Sequence, residues 1–245
     1  MKKTVTNVNW KRILNWILSI LVIIISLILI FHKQIRSHFM AQTTNQYQVS
    51  QVDTSTLDEN QNIEGNFDFD GVKAVSSEDV LASQWKSQNL PVIGGIAVPE
   101  LNINLPIFKG VDNVNLFYGA GTMKPNQQMG IGNYSLASHH IFTAENAEQM
   151  LFSPLAHAKK GMKVYLTDKH HVYYYTITEV KQVTPEHVEE IDDREGVNEI
   201  TLVTCVDYDE TARIIVKGTL VSTTEYDNTP QSILDAFTKP YHQRY

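Results

Sequence analysis

One cysteine, Cys205, stands in a chain of 245 residues. A thiol attacks as its thiolate, and with a free pKa of about 8.5 only a few per cent is ionised at neutral pH. Such a nucleophile needs a cation or base beside it and a proton donor for the group it expels. Arg213 follows eight residues on, at the head of a β-branched run, RIIVKG. A guanidinium stays protonated. Its work would be to lower the thiol pKa or to donate hydrogen bonds to a carbonyl or oxyanion. The chain has nine histidines, most in polar contexts: His32 and His38 after the apolar N-terminal run, His157, the pair His170-His171, His187 and His242. His139 and His140 differ, because they end an apolar extended run as Cys205 does. Groups at strand rims can meet across a barrel even when they stand 66 residues apart in sequence, as His139 and Cys205 do. Each has a structural alternative: a buried cysteine, a histidine pair in a surface turn, and an Arg213 ion pair with Asp207, Asp209 or Glu210. A metal site is disfavoured, since adjacent histidines do not easily face one metal and no H-x-x-H or H-E-x-x-H spacing occurs.

The elements that must position these groups follow from patterning. Asn198–Leu220 reads as strand, polar loop, strand, with the thiol at one rim and the guanidinium at the other. Extended runs are expected at Ile93–Val98, Leu105–Phe108, Ile131–Ala137, Lys163–Thr167 and Val172–Val183, and a helical turn at Asn115–Tyr118. Gly119 to Gly130 reads as a long loop and Thr184 to Glu195 as a polar, acidic one. Helices are expected at Glu145–Leu155 and after Thr229-Pro230. Many short strands without strand–helix alternation indicate a mainly β fold, a closed antiparallel or mixed barrel.

Ile13–Phe31 is uncharged over 19 residues, roughly 28 Å as a helix and so about one hydrocarbon thickness. It is longer than a signal-peptide core and lacks a small-residue cleavage site, so it reads as an uncleaved transmembrane anchor. Lys2, Lys3, Lys11 and Arg12 precede it; Lys33 and Arg36 follow. That bias predicts a cytoplasmic N-terminus, with the bulk of the chain outside. Trp10 and Trp16 suit the interface. The rest of the chain carries 14 basic groups against 27 acidic ones, which argues against nucleic-acid binding. The expected organisation is anchor over 1–36, polar linker over 37–75 and domain over 76–245, entered by a short helix capped by Ser76. Ser83 and Lys86 make an S-x-x-K match without its companion S-D-N and K-T-G motifs.

The set TLVTC (Thr201–Cys205), Arg213 and LASHH (Leu136–His140) resembles the class A sortases, membrane-anchored cysteine transpeptidases of Gram-positive bacteria, and is most similar to the streptococcal type. The resemblance covers roughly Ser76 to Thr223, and the anchor and stalk match the family layout. It implies an eight-stranded barrel with short helices. Cys205 would be the nucleophile, His139 the acid and then base, and Arg213 the residue that stabilises substrate and oxyanion. Ala137, Ser138, Thr204, His140 and Val206 would line the substrate groove, His140 in a supporting role. The loop Val206 to Ala212 would shape the pocket, and Thr184 to Glu199 would close over the peptide. The implied substrate is an L-P-x-T-G signal on secreted proteins, cut between Thr and Gly. The resulting thioester is resolved by an amine of the lipid-linked peptidoglycan precursor. Some relatives bind calcium with carboxylates on two loops, but here Gly119–Gly130 holds no acid, so neither calcium nor any other cofactor is expected. Two alternatives remain: a pilin-polymerising sortase, which usually has a lid placing an aromatic in the site, and a membrane-tethered binding module with a structural cysteine.

Overall fold

The computed structural model describes residues 10–69, 90–142, 147–207 and 211–241. Eight strands form its centre: β1 (Val92–Val98), β2 (Ile103–Phe108), β3 (Ala120–Thr122), β4 (Asn133–Ala137), β5 (Lys163–Thr167), β6 (His171–Val183), β7 (Glu199–Cys205) and β8 (Arg213–Glu225). They close into a barrel in the order β1-β2-β3-β4-β7-β8-β6-β5. The pairs β2–β3 and β4–β7 are parallel and the others antiparallel. The expected closed, mixed barrel is therefore present. Strands β1 and β2, VIGGIAV and INLPIF, are buried along their whole length. Their near-continuous apolar character suits strands covered on both faces.

Part of that cover comes from a stretch expected to be linker. Helix α1 (Trp10–Gln46) is apolar enough over Trp10–His32 to cross a membrane, with mean hydropathy 3.0. It continues past that run to the barrel, where Thr44, Gln48 and Val49 are buried. The Tyr47 ring meets Phe108 edge-on at 6.2 Å between centroids. Val49, in a turn of 3-10 helix (Val49–Gln51), packs on Gly95 of β1. A Cβ on Gly95 would sit 2.5 Å from Val49 Cγ1, so the approach needs glycine. Helix α2 (Thr54–Gln61) then inserts Leu57, 1% exposed, into the core. Asn60 Nδ2 donates to Val92 O at 2.8 Å and Gln61 Nε2 to Ile93 O at 3.2 Å. The stretch expected to be a polar linker over 37–75 is, in its described part, largely helical and packed on the barrel. Single apolar residues among amides show no periodicity, yet here the amides bond strand carbonyls and the apolar residues plug the barrel wall. The Ser76 helix and the S-x-x-K match lie outside the described residues.

Three further readings change. The loop read over Gly119 to Gly130 contains β3. The helix expected over Glu145–Leu155 is, in its described part, two short 3-10 turns, Ala147–Gln149 and Ser153–His157, separated by Leu151 at φ 50°. Met150, Leu151 and Leu155 are all buried, which is why their spacing looked helical. The turn expected at Asn115–Tyr118 is helix α3 (Asn113–Tyr118), and the C-terminal helix α4 runs Gln231–Thr238. Thr229 makes no helix cap; its Oγ1 donates back to Glu225 O at 3.1 Å.

Leu57→Ala should cost about 2–4 kcal/mol of unfolding free energy, as for other fully buried leucines, measured by chemical denaturation of the full chain in detergent. A loss below about 0.5 kcal/mol, the level of a surface change, would mean that α2 is not part of the folded unit.

Candidate active site

Strand register brings the three candidate residues to one end of the barrel. In the parallel pair β4–β7, Ala137 lies opposite Val203. Two residues beyond each come His139 and Cys205. In the antiparallel pair β7–β8, Cys205 lies opposite Arg213. Cys205, His139 and Arg213 accordingly line one cavity of about 120 Å³. Ala137, Ser138 and Thr204 line it too. Their hydroxyls are occupied in framing it. Thr204 Oγ1 donates to Ser138 O at 2.9 Å, and Ser138 Oγ donates to Gly119 O at 2.7 Å. Both residues are buried, so what they offer the cavity is shape.

His139 is 6% exposed and stacks on Phe117 with ring centroids 5.3 Å apart. Burial holds its pKa down at about 4, so the imidazole is neutral at pH 7. Its Nε2 has no hydrogen-bond partner. A buried nitrogen left unpaired is costly, and one at a cavity shared with a thiol is a candidate proton acceptor. Arg213 is partly buried, and its Nη1 donates to Ala212 O at 3.3 Å.

His140 and Val206 do not line this cavity. They line a second one of about 290 Å³. The His140 Nδ1 lies 2.8 Å from the Cys205 carbonyl oxygen, and its ring stacks on Phe142 at 4.3 Å. Pattern reasoning missed other walls of the Cys205 cavity: Phe69, Val111, Leu116 and Met123. Phe69 reaches it from ahead of the barrel, on a segment tied down where Val111 N donates to Asn66 O at 2.7 Å. Only the alternation in FDF hinted at an apolar contact there.

The acidic loop is pinned by lysines. Lys181 and Lys217 reach Glu190 at 2.9 and 3.0 Å. Lys124 reaches Asp193 at 2.6 Å, and the same carboxylate oxygen accepts from Asn133 N. Lys124, helped by that backbone N–H, holds the Asp193 carboxyl below the usual carboxylate range. Among the described residues no three His, Cys, Asp or Glu side chains gather in a way that could hold a metal ion. A neutral imidazole, a thiol and a guanidinium around one pocket can carry out nucleophilic acyl transfer.

A Sortase domain family model matches residues 96–221. Sortase A of Streptococcus agalactiae is 56% identical over 94% of this chain and 93% of its own. Sortase A of Listeria monocytogenes is 37% identical over 84% of this chain and 91% of its own. The solved structure of the Listeria enzyme superposes with a TM-score of 0.55 at 42% identity, covering 60% of this chain and 98% of that one.

Because the unfolded His139 titrates near 6.5 and the folded one at about 4, the unfolded chain binds more protons between those values. Stability from keeping His139 neutral is therefore full above pH about 6.5 and lost as pH falls towards 4. His139→Phe keeps a ring on Phe117 but cannot titrate. It should lose up to roughly 3 kcal/mol less than the parent between pH 7 and pH 4, read from denaturant unfolding at both pH values. Equal losses would show that His139 is not held neutral.

Proposed function

The chain belongs to the sortase family of cysteine transpeptidases, and from that premise we propose that it cleaves an L-P-x-T-G sorting signal between Thr and Gly and joins the Thr to an amine of the lipid-linked peptidoglycan precursor. The observation that carries the proposal is the register that sets Cys205, His139 and Arg213 around one cavity. In this reading Cys205 Sγ attacks the Thr carbonyl carbon as its proton passes to His139. The Arg213 guanidinium donates to the oxyanion. His139 then hands that proton to the departing Gly nitrogen, leaving a thioester. An imidazole kept neutral at rest suits this sequence, because the proton it delivers is the one it has just taken. The amine attacks the thioester, and His139 accepts a proton in turn.

The anchor has its place in the proposal. The positive-inside bias supports an N-terminus in the cytoplasm and a barrel outside, where secreted polypeptides and lipid-linked amines would meet. One observation favours a second reading, a pilin-polymerising enzyme: Phe69, an aromatic ahead of the barrel, lines the Cys205 cavity. Against it stand the two relatives named Sortase A, at 56% and 37% identity.

Cys205→Ala should abolish cleavage of an L-P-x-T-G peptide while leaving the denaturation midpoint unchanged. Arg213→Ala should lower kcat about 100- to 1,000-fold, the usual cost of one oxyanion donor. Both are read by mass spectrometry of peptide plus amine; cleavage retained by Cys205→Ala would remove the reading. Lys124 already neutralises Asp193, so EDTA should leave the rate unchanged. A rate that falls with chelator and returns with calcium would contradict that.

A further inference from the structure

The proposed reaction raises a proton-counting problem that His139 alone does not solve. An amine at neutral pH arrives as an ammonium ion with three protons on nitrogen and leaves as an amide with one. Two protons must go. His139 takes one as the thioester breaks, which restores the charge state it had after accepting the thiol proton. The other must pass to solvent or to a second base before the nitrogen lone pair can attack.

The second cavity supplies such a base. It lies beside the carbonyl end of Cys205 and has apolar walls from Leu155, Ile214 and Val206, with Ala156 exposed at its rim. His140 is part of its lining. A carbonyl oxygen only accepts, so the His140 nitrogen 2.8 Å from Cys205 O, Nδ1, carries the hydrogen. In the neutral ring this leaves Nε2 as an open acceptor. Burial moves the His140 pKa down, while the Cys205 carbonyl pulls the other way; the net direction keeps the ring neutral at pH 7. Lys181 also borders the cavity, but its ammonium is engaged by Glu190 at 2.9 Å and Glu179 at 3.4 Å.

We propose that this cavity is the entry site for the acceptor, a primary ammonium on a slender arm, and that His140 Nε2 takes its first proton. The inference rests on the transpeptidase reading above. In the first step an N–H bond of the ammonium breaks and an Nε2–H bond forms, giving a neutral amine and a His140 imidazolium. In the second, the amine lone pair adds to the thioester carbonyl carbon. The C–S bond breaks with its electron pair left on Sγ, and the second proton moves to His139. The products are an amide, the Cys205 thiolate beside protonated His139, and protonated His140, which releases its proton to solvent. No oxidant or further reactant is needed.

The test uses the full chain in detergent with an L-P-x-T-G peptide and two amines: triglycine, an ammonium at neutral pH, and hydroxylamine, largely unprotonated there. His140→Asn keeps an N–H donor in place of Nδ1 and removes the base. Relative to hydrolysis, transfer to triglycine should fall about 100-fold, the lower end of general-base effects, and transfer to hydroxylamine should change by less than about twofold. Ala156→Phe, at the cavity rim, should raise the KM for triglycine severalfold with little change in kcat. If His140→Asn lowers transfer to both amines equally, His140 only positions the Cys205 carbonyl and the proposal is overturned. Unchanged transfer ratios in both variants would overturn the entry site as well. If the parent protein releases no Gly-bearing peptide at all, it is the transpeptidase reading that fails, a result separate from either.

Discussion

The parallel pairing of β4 with β7 is the constraint on which the site depends. Side chains alternate along a strand, so a slip of one residue would turn His139 or Cys205 to the opposite face. The pairing is held at both ends by buried polar groups. At one end Thr201 Oγ1 donates to Asn133 Oδ1 at 2.8 Å, and Asn133 Nδ2 donates to the carbonyls of Glu190 and Asp192. At the other, Thr204 Oγ1 donates to Ser138 O, and Ser138 N to Val203 O at 3.2 Å. The two threonines of TLVTC are thus register locks. In a buried setting each lock is specific, because a slipped strand would leave its partners unpaired.

The acidic loop extends the same logic outward. It lies over the start of β4, where its backbone carbonyls and Asp193 receive the donors of Asn133. Its own carboxylates are tied to lysines on three different elements: Lys124 after β3, Lys181 on β6 and Lys217 on β8. Lys217 is 8% exposed and Glu190 has a side chain only 12% exposed, so this pair is screened less than a surface bridge. The loop is consequently part of the frame that fixes the register.

Much of this was legible in the residues. The thiol, the guanidinium and the histidine pair stood at the ends of apolar runs, and those runs became β7, β8 and β4. Seven of the eight strands have a pattern long enough to read. The eighth, Ala120–Thr122, is three small residues between glycine-rich turns, and its strand character comes from neighbours on both sides. The N-terminal segment was illegible for a related reason. Val49 and Leu57 are isolated apolar residues whose burial is decided by Gly95 and the barrel wall, and no local period announces that. That His139 and His140 line different cavities was likewise hidden. Adjacent residues on an extended chain face opposite ways, and only the register shows which cavity each one meets.

The docked N-terminal segment changes what the anchor does. A polar linker would let the barrel wander over tens of ångströms from the bilayer. Here α1 runs from the apolar stretch ending at His32 to Gln46 without a break, roughly 21 Å of helix. At its end Asn45 exchanges hydrogen bonds with the backbone of Tyr241, and Gln48 Nε2 donates to Asn104 O at 2.9 Å. The helix is joined to the β2 wall and the C-terminal tail at once. Under the proposed function, a reaction between a secreted polypeptide and a lipid-linked amine would gain from holding the thioester at a set height, since both partners would be confined near one plane. Positioning of that kind lowers the entropic cost of bringing reactants together. In this chain it is supplied by the same amides and buried side chains that close the barrel.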